Sequence, residues 1–220
     1  MRNFDEKKLV SKLDKILKKE FGTNLSFHEF SAGYGIADLV FAANFSFSKR
    51  AMRRVPLTNF STLNVFLNLD EYKTYSFTDV VAIFPHLREA EIKKQINFLI
   101  KNGYLKKISG NKFKKNIGSK SLSPIKKIIA IEVKLSDHKG GLIQARRYQY
   151  FADESYLAIL KEAQKNINVD EFNLHNIGLI LFDSKTNTIE IKYPKSNNSI
   201  CNNSVSLFAK EMMTNQYLIS

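Results

Sequence analysis

The sequence predicts an α/β protein whose core is interrupted by a small, basic helical domain. Three observations predict it. A stretch with helical apolar spacing opens the chain and is followed by two strand-like runs. A nearly continuous apolar run at 127–135 is followed by a helical stretch and then by another strand. Between these blocks, residues 49–127 carry 17 Lys+Arg against 5 acidic residues, so this segment holds +12 of the formal net charge of +13.

The elements follow in order. Phe4, Leu9, Val10, Leu13, Ile16, Leu17 and Phe21 give one apolar face over 4–21, and Gly22 is a stop. Asn24–Phe30 alternates like a strand, Ser31–Gly35 is a turn, and Ile36–Phe47 reads as a second strand of the same hairpin. Helical spacing returns over Phe60–Leu69. A short extended piece at Thr74–Ser76 precedes a helix over Phe77–Phe84, with Ser76 as its cap. Pro85 breaks the chain, and Arg88–Asn102 is a third helix with Gly103 just past its end. Tyr104–Ile108 and Lys112–Lys115 flank Ser109-Gly-Asn111 as a small hairpin. Lys127–Leu135 is a central strand, interrupted only by Glu132 and Lys134. A helix over Gly141–Phe151, a strand over Glu154–Leu160 and a hairpin of Ile177–Phe182 with Thr188–Tyr193 come next. Ser196–Ser204 reads as a linker and Val205–Met213 as a short helix.

Composition excludes several classes. With 44% hydrophobic residues and 25% charged, the chain is globular and not disordered. The single cysteine, Cys201, excludes an intramolecular disulfide framework and an all-cysteine zinc site. No apolar run approaches the ~20 residues of a membrane span, and the first residues lack the apolar core of a signal peptide. The expectation is a cytoplasmic protein with no membrane partner. The segregated positive charge points to a polyanion, because neutralising phosphates releases condensed counterions; solvated surface lysines are the alternative.

Within Ile131-Glu-Val-Lys-Leu135, Glu132 and Lys134 are two residues apart and therefore share one face of a strand. Two ionisable groups on an apolar strand are costly to bury without a reason. Phosphodiester hydrolysis supplies one: carboxylates hold Mg²⁺, which acts as Lewis acid and acidifies bound water, while a lysine orients or activates the water. An acid-x-Lys pattern occurs eight times in this chain, and Glu190-Ile-Lys192 also lies in a strand-like run. Glu132 is distinguished by Asp38 on an earlier strand, just after a hairpin turn, and by Gln144 on the helix that follows. The alternative is an ion pair at a strand edge with Asp38 capping a turn.

On these residues and their order the chain resembles the PD-(D/E)XK nuclease superfamily. The resemblance covers about 24–47 and 127–160. It implies a restriction-endonuclease-like mixed-sheet core of order αβββαβ. It also implies that Asp38 and Glu132 hold Mg²⁺, with Mn²⁺ able to substitute and the Val133 carbonyl assisting, and that Lys134 serves the attacking water. Gln144 falls on the family's frequent glutamine. Glu29 is the candidate for an extra upstream acid, with Glu20 second. The proline of the family name is absent here, where Ile36-Ala37 precedes Asp38.

Residues 56–117, three helices followed by a two-stranded hairpin, resemble a winged helix. That resemblance implies a domain over 51–122 that interrupts a nuclease core of 1–50 and 123–220, and a third helix presented to duplex DNA. Arg88, Lys93, Lys94, Gln95 and Asn97 are expected outward on that helix, and Lys106, Lys107, Lys112, Lys114 and Lys115 on the wing. Arg146 and Arg147 would add phosphate contacts. The combined expectation is a metal-dependent endodeoxyribonuclease acting on double-stranded DNA in restriction or defence, as a possible homodimer with 195–220 at its interface. Alternatives are a non-cleaving DNA-binding regulator, a structure-specific repair or mobile-element nuclease, and an RNA nuclease.

Overall fold

The computed structural model describes residues 5–46, 54–192 and 201–219. The expected linker at 196–204, the first residues of the opening helix and the ends of two strands lie partly or wholly outside them. The chain is mixed α/β. It forms two compact units, one from 1–45 and 125–209 and the other from 46–124 and 210–220.

In the first unit, helix α1 (Glu6–Glu20) is capped by Asp5, whose side chain accepts from the Lys8 amide, and buries Leu9, Leu13 and Leu17. Strands β1 (Ser26–Ser31) and β2 (Ile36–Phe45) form the expected antiparallel hairpin, joined by a turn in which Gly33 and Gly35 have positive φ. Further strands are β6 (Ile125–Lys134), β7 (Glu154–Leu160), β8 (Gly178–Asp183) and β9 (Thr188–Ile191). The sheet runs β1-β2-β6-β7-β8-β9, and β6, β7 and β8 are mutually parallel while all other neighbours are antiparallel. Helix α5 (His138–Tyr148) makes the crossover from β6 to β7.

Alternation along the central strands splits the core into two layers. Leu39, Phe41, Ile129, Ile131 and Val133 pack with the α1 leucines on one face. On the other face Leu157, Ile159, Leu179 and Leu181 pack with Leu142 and Ala145 of α5 and with Phe172 of α6 (Val169–His175). Helix α6 and the short 3-10 segment before it, Lys161–Asn166, were not predicted. The helix has seven residues and one buried anchor, Phe172, too little for periodicity to reveal.

The second unit contains α2 (Phe60–Asn68), α3 (Phe77–Ile83) and α4 (Glu89–Lys101), with a three-stranded sheet ordered β3-β5-β4. Its strands are β3 (Thr74–Tyr75), β4 (Leu105–Lys107) and β5 (Phe113–Lys115). Ser76 caps α3 in a capping box with Asp79, as its position suggested. Gly103, with φ +75°, follows the end of α4. Phe66, Ile92, Leu99, Tyr104 and Phe113 form the interior.

The last helix, α7, runs Asn203–Ile219, longer than the nine residues expected. Residues from 210 onward belong to the second unit, not to the core that the sequence suggested. The reason is Glu211, which is fully buried. It accepts from Arg54 Nη2 at 2.7 Å and from the Leu57 amide at 2.8 Å, while Arg54 Nη1 donates to the Tyr104 hydroxyl at 2.9 Å. Burial pushes the Glu211 carboxyl above its ordinary range, opposed by Arg54 and the Leu57 N–H. Among the described residues, no helix is long and apolar enough to cross a membrane.

Candidate functional site

Asp38, Glu132 and Lys134 converge where the pairing of β2 with β6 stops. The antiparallel register runs from Phe45 opposite Ile125 to Leu39 opposite Ile131, and its continuation sets Asp38 opposite Glu132. There the Asp38 side chain replaces the backbone: its Oδ2 accepts from the Val133 amide at 2.7 Å. Val133 itself is buried on the α1 face, which leaves Glu132 and Lys134 on the α5 face. Lys134 Nζ lies 2.7 Å from Glu132 Oε1. The Tyr148 hydroxyl, on the last turn of α5, makes a short hydrogen bond to Glu132 Oε2 and also reaches the Ile36 carbonyl at 2.7 Å. Helix α5 comes close because residue 141 is glycine. A Cβ there would stand 2.5 Å from Leu157 Cδ1 and 2.9 Å from Lys134 Cγ.

Burial dominates the electrostatics. Glu132 is 1% exposed, and its removal from water raises its pKa above the ordinary value, against the hydrogen bonds from Lys134 and Tyr148; the Asp38 charge raises it further. Asp38 is also raised, first by burial, against the Val133 N–H and Lys134, with Glu6 and Glu29 adding repulsion. Burial works against the Lys134 ammonium, but the bond to Glu132 more than offsets it, so its pKa sits above the ordinary lysine value.

The structure places the other predicted residues as follows. The β1–β2 register brackets Glu29 opposite Asp38; Glu29 is exposed, with φ +49°, and its charge is felt at Asp38. Gln144 is half-buried on α5, three residues past Gly141 and four before Tyr148. Glu20 lies at the end of α1, whereas Glu6 at the start of that helix acts on both Asp38 and Lys134. The competing pair, Glu190 and Lys192, lies at edge strand β9, 3.7 Å apart with the Glu190 side chain 52% exposed, and among the described residues Lys192 pairs with no second carboxylate. Sequence reasoning missed Tyr148 and Glu6. Tyr148 is one turn beyond Gln144 on the face of α5 that meets β6, which is the one signal that pointed to it.

Among the described residues no group of three or more His, Cys, Asp or Glu side chains is arranged to hold a metal ion. The donors present nonetheless suit Mg²⁺, which takes one or two carboxylates and completes its shell with water and substrate phosphate. Asp38 keeps Oδ1 without a hydrogen bond among the described residues, while both oxygens of Glu132 are engaged.

Two residues expected on an outward basic surface are inward, which corrects the sequence reading. Gln95 is 6% exposed, on the side of α4 that faces α2, and donates from Nε2 to Ser61 Oγ at 2.7 Å. Lys115 is also 6% exposed. It lies 4.4 Å from the centroid of the Phe66 ring and donates to Ser119 Oγ, and burial lowers its pKa. Arg88, Lys93, Lys94, Asn97, Lys106, Lys107, Lys112 and Lys114 are exposed, as are Arg146 and Arg147 on α5.

Compared with known proteins, the chain matches no family model, no curated protein and no solved structure.

Proposed function

We propose that the chain is a metal-dependent DNA endonuclease of the PD-(D/E)XK type, with a winged-helix domain that binds DNA on the same polypeptide. The observation that carries this reading is the convergence of Asp38, Glu132 and Lys134, from two strands of an otherwise apolar sheet, at the end of the β2–β6 ladder. An ion pair alone does not mark a site: Glu190 and Lys192 pair at a solvated edge, and the buried Arg54–Glu211 pair clamps the second unit, whereas the Glu132–Lys134 pair is joined by a second carboxylate, Asp38. Here both carboxylates are desolvated and held close, an arrangement that costs stability unless a cation or phosphate exploits it.

In this reading Asp38 and Glu132 hold Mg²⁺, or Mn²⁺ in its place, and the Val133 carbonyl assists. When bound, the metal supplies Lewis acidity at the phosphate and a more acidic water. Lys134 orients the attacking water and stabilises negative charge that develops on the phosphate. Tyr148 positions Glu132, and Gln144 and Glu29 flank the site. The exposed residues of α4 and of the β4–β5 hairpin bind the duplex. The role is in restriction or defence.

The second reading is a DNA-binding regulator that does not cleave. The observation in its favour is that both Glu132 oxygens are already held, by Lys134 and Tyr148. Incubating the purified chain with methylated and unmethylated plasmid in Mg²⁺, Mn²⁺ or EDTA separates the two. The nuclease reading expects metal-dependent nicks or breaks that EDTA abolishes. Tight, salt-sensitive duplex binding without any break in either metal establishes the regulator.

A further inference from the structure

The second unit has a cleft of about 360 Å³ between α4 and the β4–β5 hairpin, inside the range of small-ligand pockets, roughly 300–1,000 Å³. Its rim carries three exposed lysines from three places in the chain: Lys93 on α4, Lys107 at the end of β4 and Lys112 just before β5. None of the three forms an ion pair among the described residues, and no carboxylate lines the cleft. Asp79, which feels Lys112, is committed to the Ser76 cap. Below the rim the walls are apolar: Phe77 and Ile100 are half-buried, with Ile96 and Phe113 behind them. The Asn97 and Asn111 amides stand beside these walls.

Three clustered cations, one of which, Lys112, feels a nearby carboxylate, suit phosphate oxygens. The apolar walls give phosphate nothing, but they match the flat face of a base. In a duplex those faces are stacked and out of reach; an unpaired nucleotide presents a base face and a phosphate together. We infer that this cleft takes a single unpaired nucleotide of a DNA strand, with Lys93, Lys107 and Lys112 on its phosphates and its base against Phe77 and Ile100. The inference deepens the nuclease reading and rests on it for the identity of the strand. It adds to the duplex-binding surface of α4 and the hairpin a place for one unpaired nucleotide, so DNA with a gap or a fork is held more tightly than intact duplex.

The test is fluorescence anisotropy on the full chain in EDTA, over a range of salt. The probes are a labelled oligothymidylate and a blunt duplex of equal length, and the proteins are wild type and the double variant Lys107→Gln/Lys112→Gln. Both lysines are exposed, so the variant keeps its fold, which its melting temperature verifies. Wild type is expected to bind the single strand. The variant is expected to flatten the slope of log affinity against log salt by about 1.4, at about 0.7 for each single-strand phosphate that a lysine no longer neutralises. A wild type that binds or cuts blunt duplex but ignores the single strand overturns this inference and leaves the nuclease reading standing, as does an unchanged single-strand slope in the variant. Single-strand binding through these lysines with no cleavage of any DNA in any metal overturns the nuclease reading and leaves the cleft assigned.

Discussion

Replacing Tyr148 with Phe removes one oxygen from a side chain that is 1% exposed and leaves the ring in place. That oxygen makes a short bond to Glu132 Oε2 and another, at 2.7 Å, to the Ile36 carbonyl. In the variant a buried carboxylate oxygen loses its donor. Hydrogen bonds to charged groups contribute about 1.5–3 kcal/mol, and Tyr148→Phe is expected to destabilise the first unit by that amount. The same bond helps pull the Glu132 carboxyl down against the upward push of burial. Without it Glu132 holds its proton to higher pH, so binding of a divalent cation, which needs the carboxylate, moves upward in pH as well. Urea unfolding followed by far-UV circular dichroism reads the first effect, and calorimetric titration with Mg²⁺ at several pH values reads the second. An unchanged midpoint together with an unchanged pH dependence of metal binding would refute the view that Tyr148 holds Glu132.

Three further outcomes follow from other contacts. Glu211→Ala strands the buried Arg54 guanidinium and the Leu57 N–H, and is expected to cost about 3–5 kcal/mol; a loss below about 1 kcal/mol in denaturant unfolding would show that the clamp is dispensable. Gly141→Ala places a methyl 2.5 Å from Leu157 Cδ1 and 2.9 Å from Lys134 Cγ. Overpacking of this kind costs about 1–3 kcal/mol, and because Lys134 is displaced, cleavage is expected to fall more than stability does, which parallel kinetic and unfolding measurements check. The pH dependence has a definite sign. Asp38 and Glu132 are raised in the folded chain, so between their ordinary and raised values it binds more protons than the unfolded chain. Their contribution to stability therefore falls as pH rises through that window, while metal binding and cleavage rise. A pH–rate profile whose acid limb lies within the ordinary carboxylate range would contradict this.

Much of the fold was legible because its signals are local. The leucines of α1, the apolar β6 and the turn before Asp38 each announce themselves within a few residues, and β7 was placed at its true bounds. Asp38, Glu132 and Lys134 stood out because charge on a buried strand is conspicuous. What escaped depends on tertiary partners. Gln95 and Lys115 read as surface residues by type, yet one faces Ser61 and the other lies over Phe66, contacts that no spacing rule reveals. Glu211 closes on Arg54 from 157 residues away in sequence, so the C-terminal helix could not be assigned to its unit from pattern alone. Tyr148 carries an apolar ring, and its hydroxyl acquires meaning only once α5 has docked on β6 through Gly141.

The central claim is that Lys134 and its two carboxylates make a phosphodiester-cleaving centre. Its most direct test is the rate of nicking of supercoiled plasmid in Mg²⁺ under single-turnover conditions, wild type against Lys134→Ala, with DNA affinity measured in parallel. The account predicts a rate lower by about 10²–10³-fold, the usual loss when one charge-stabilising donor is removed, with duplex binding unchanged. Equal rates for the two proteins would place the chemistry elsewhere and contradict the account.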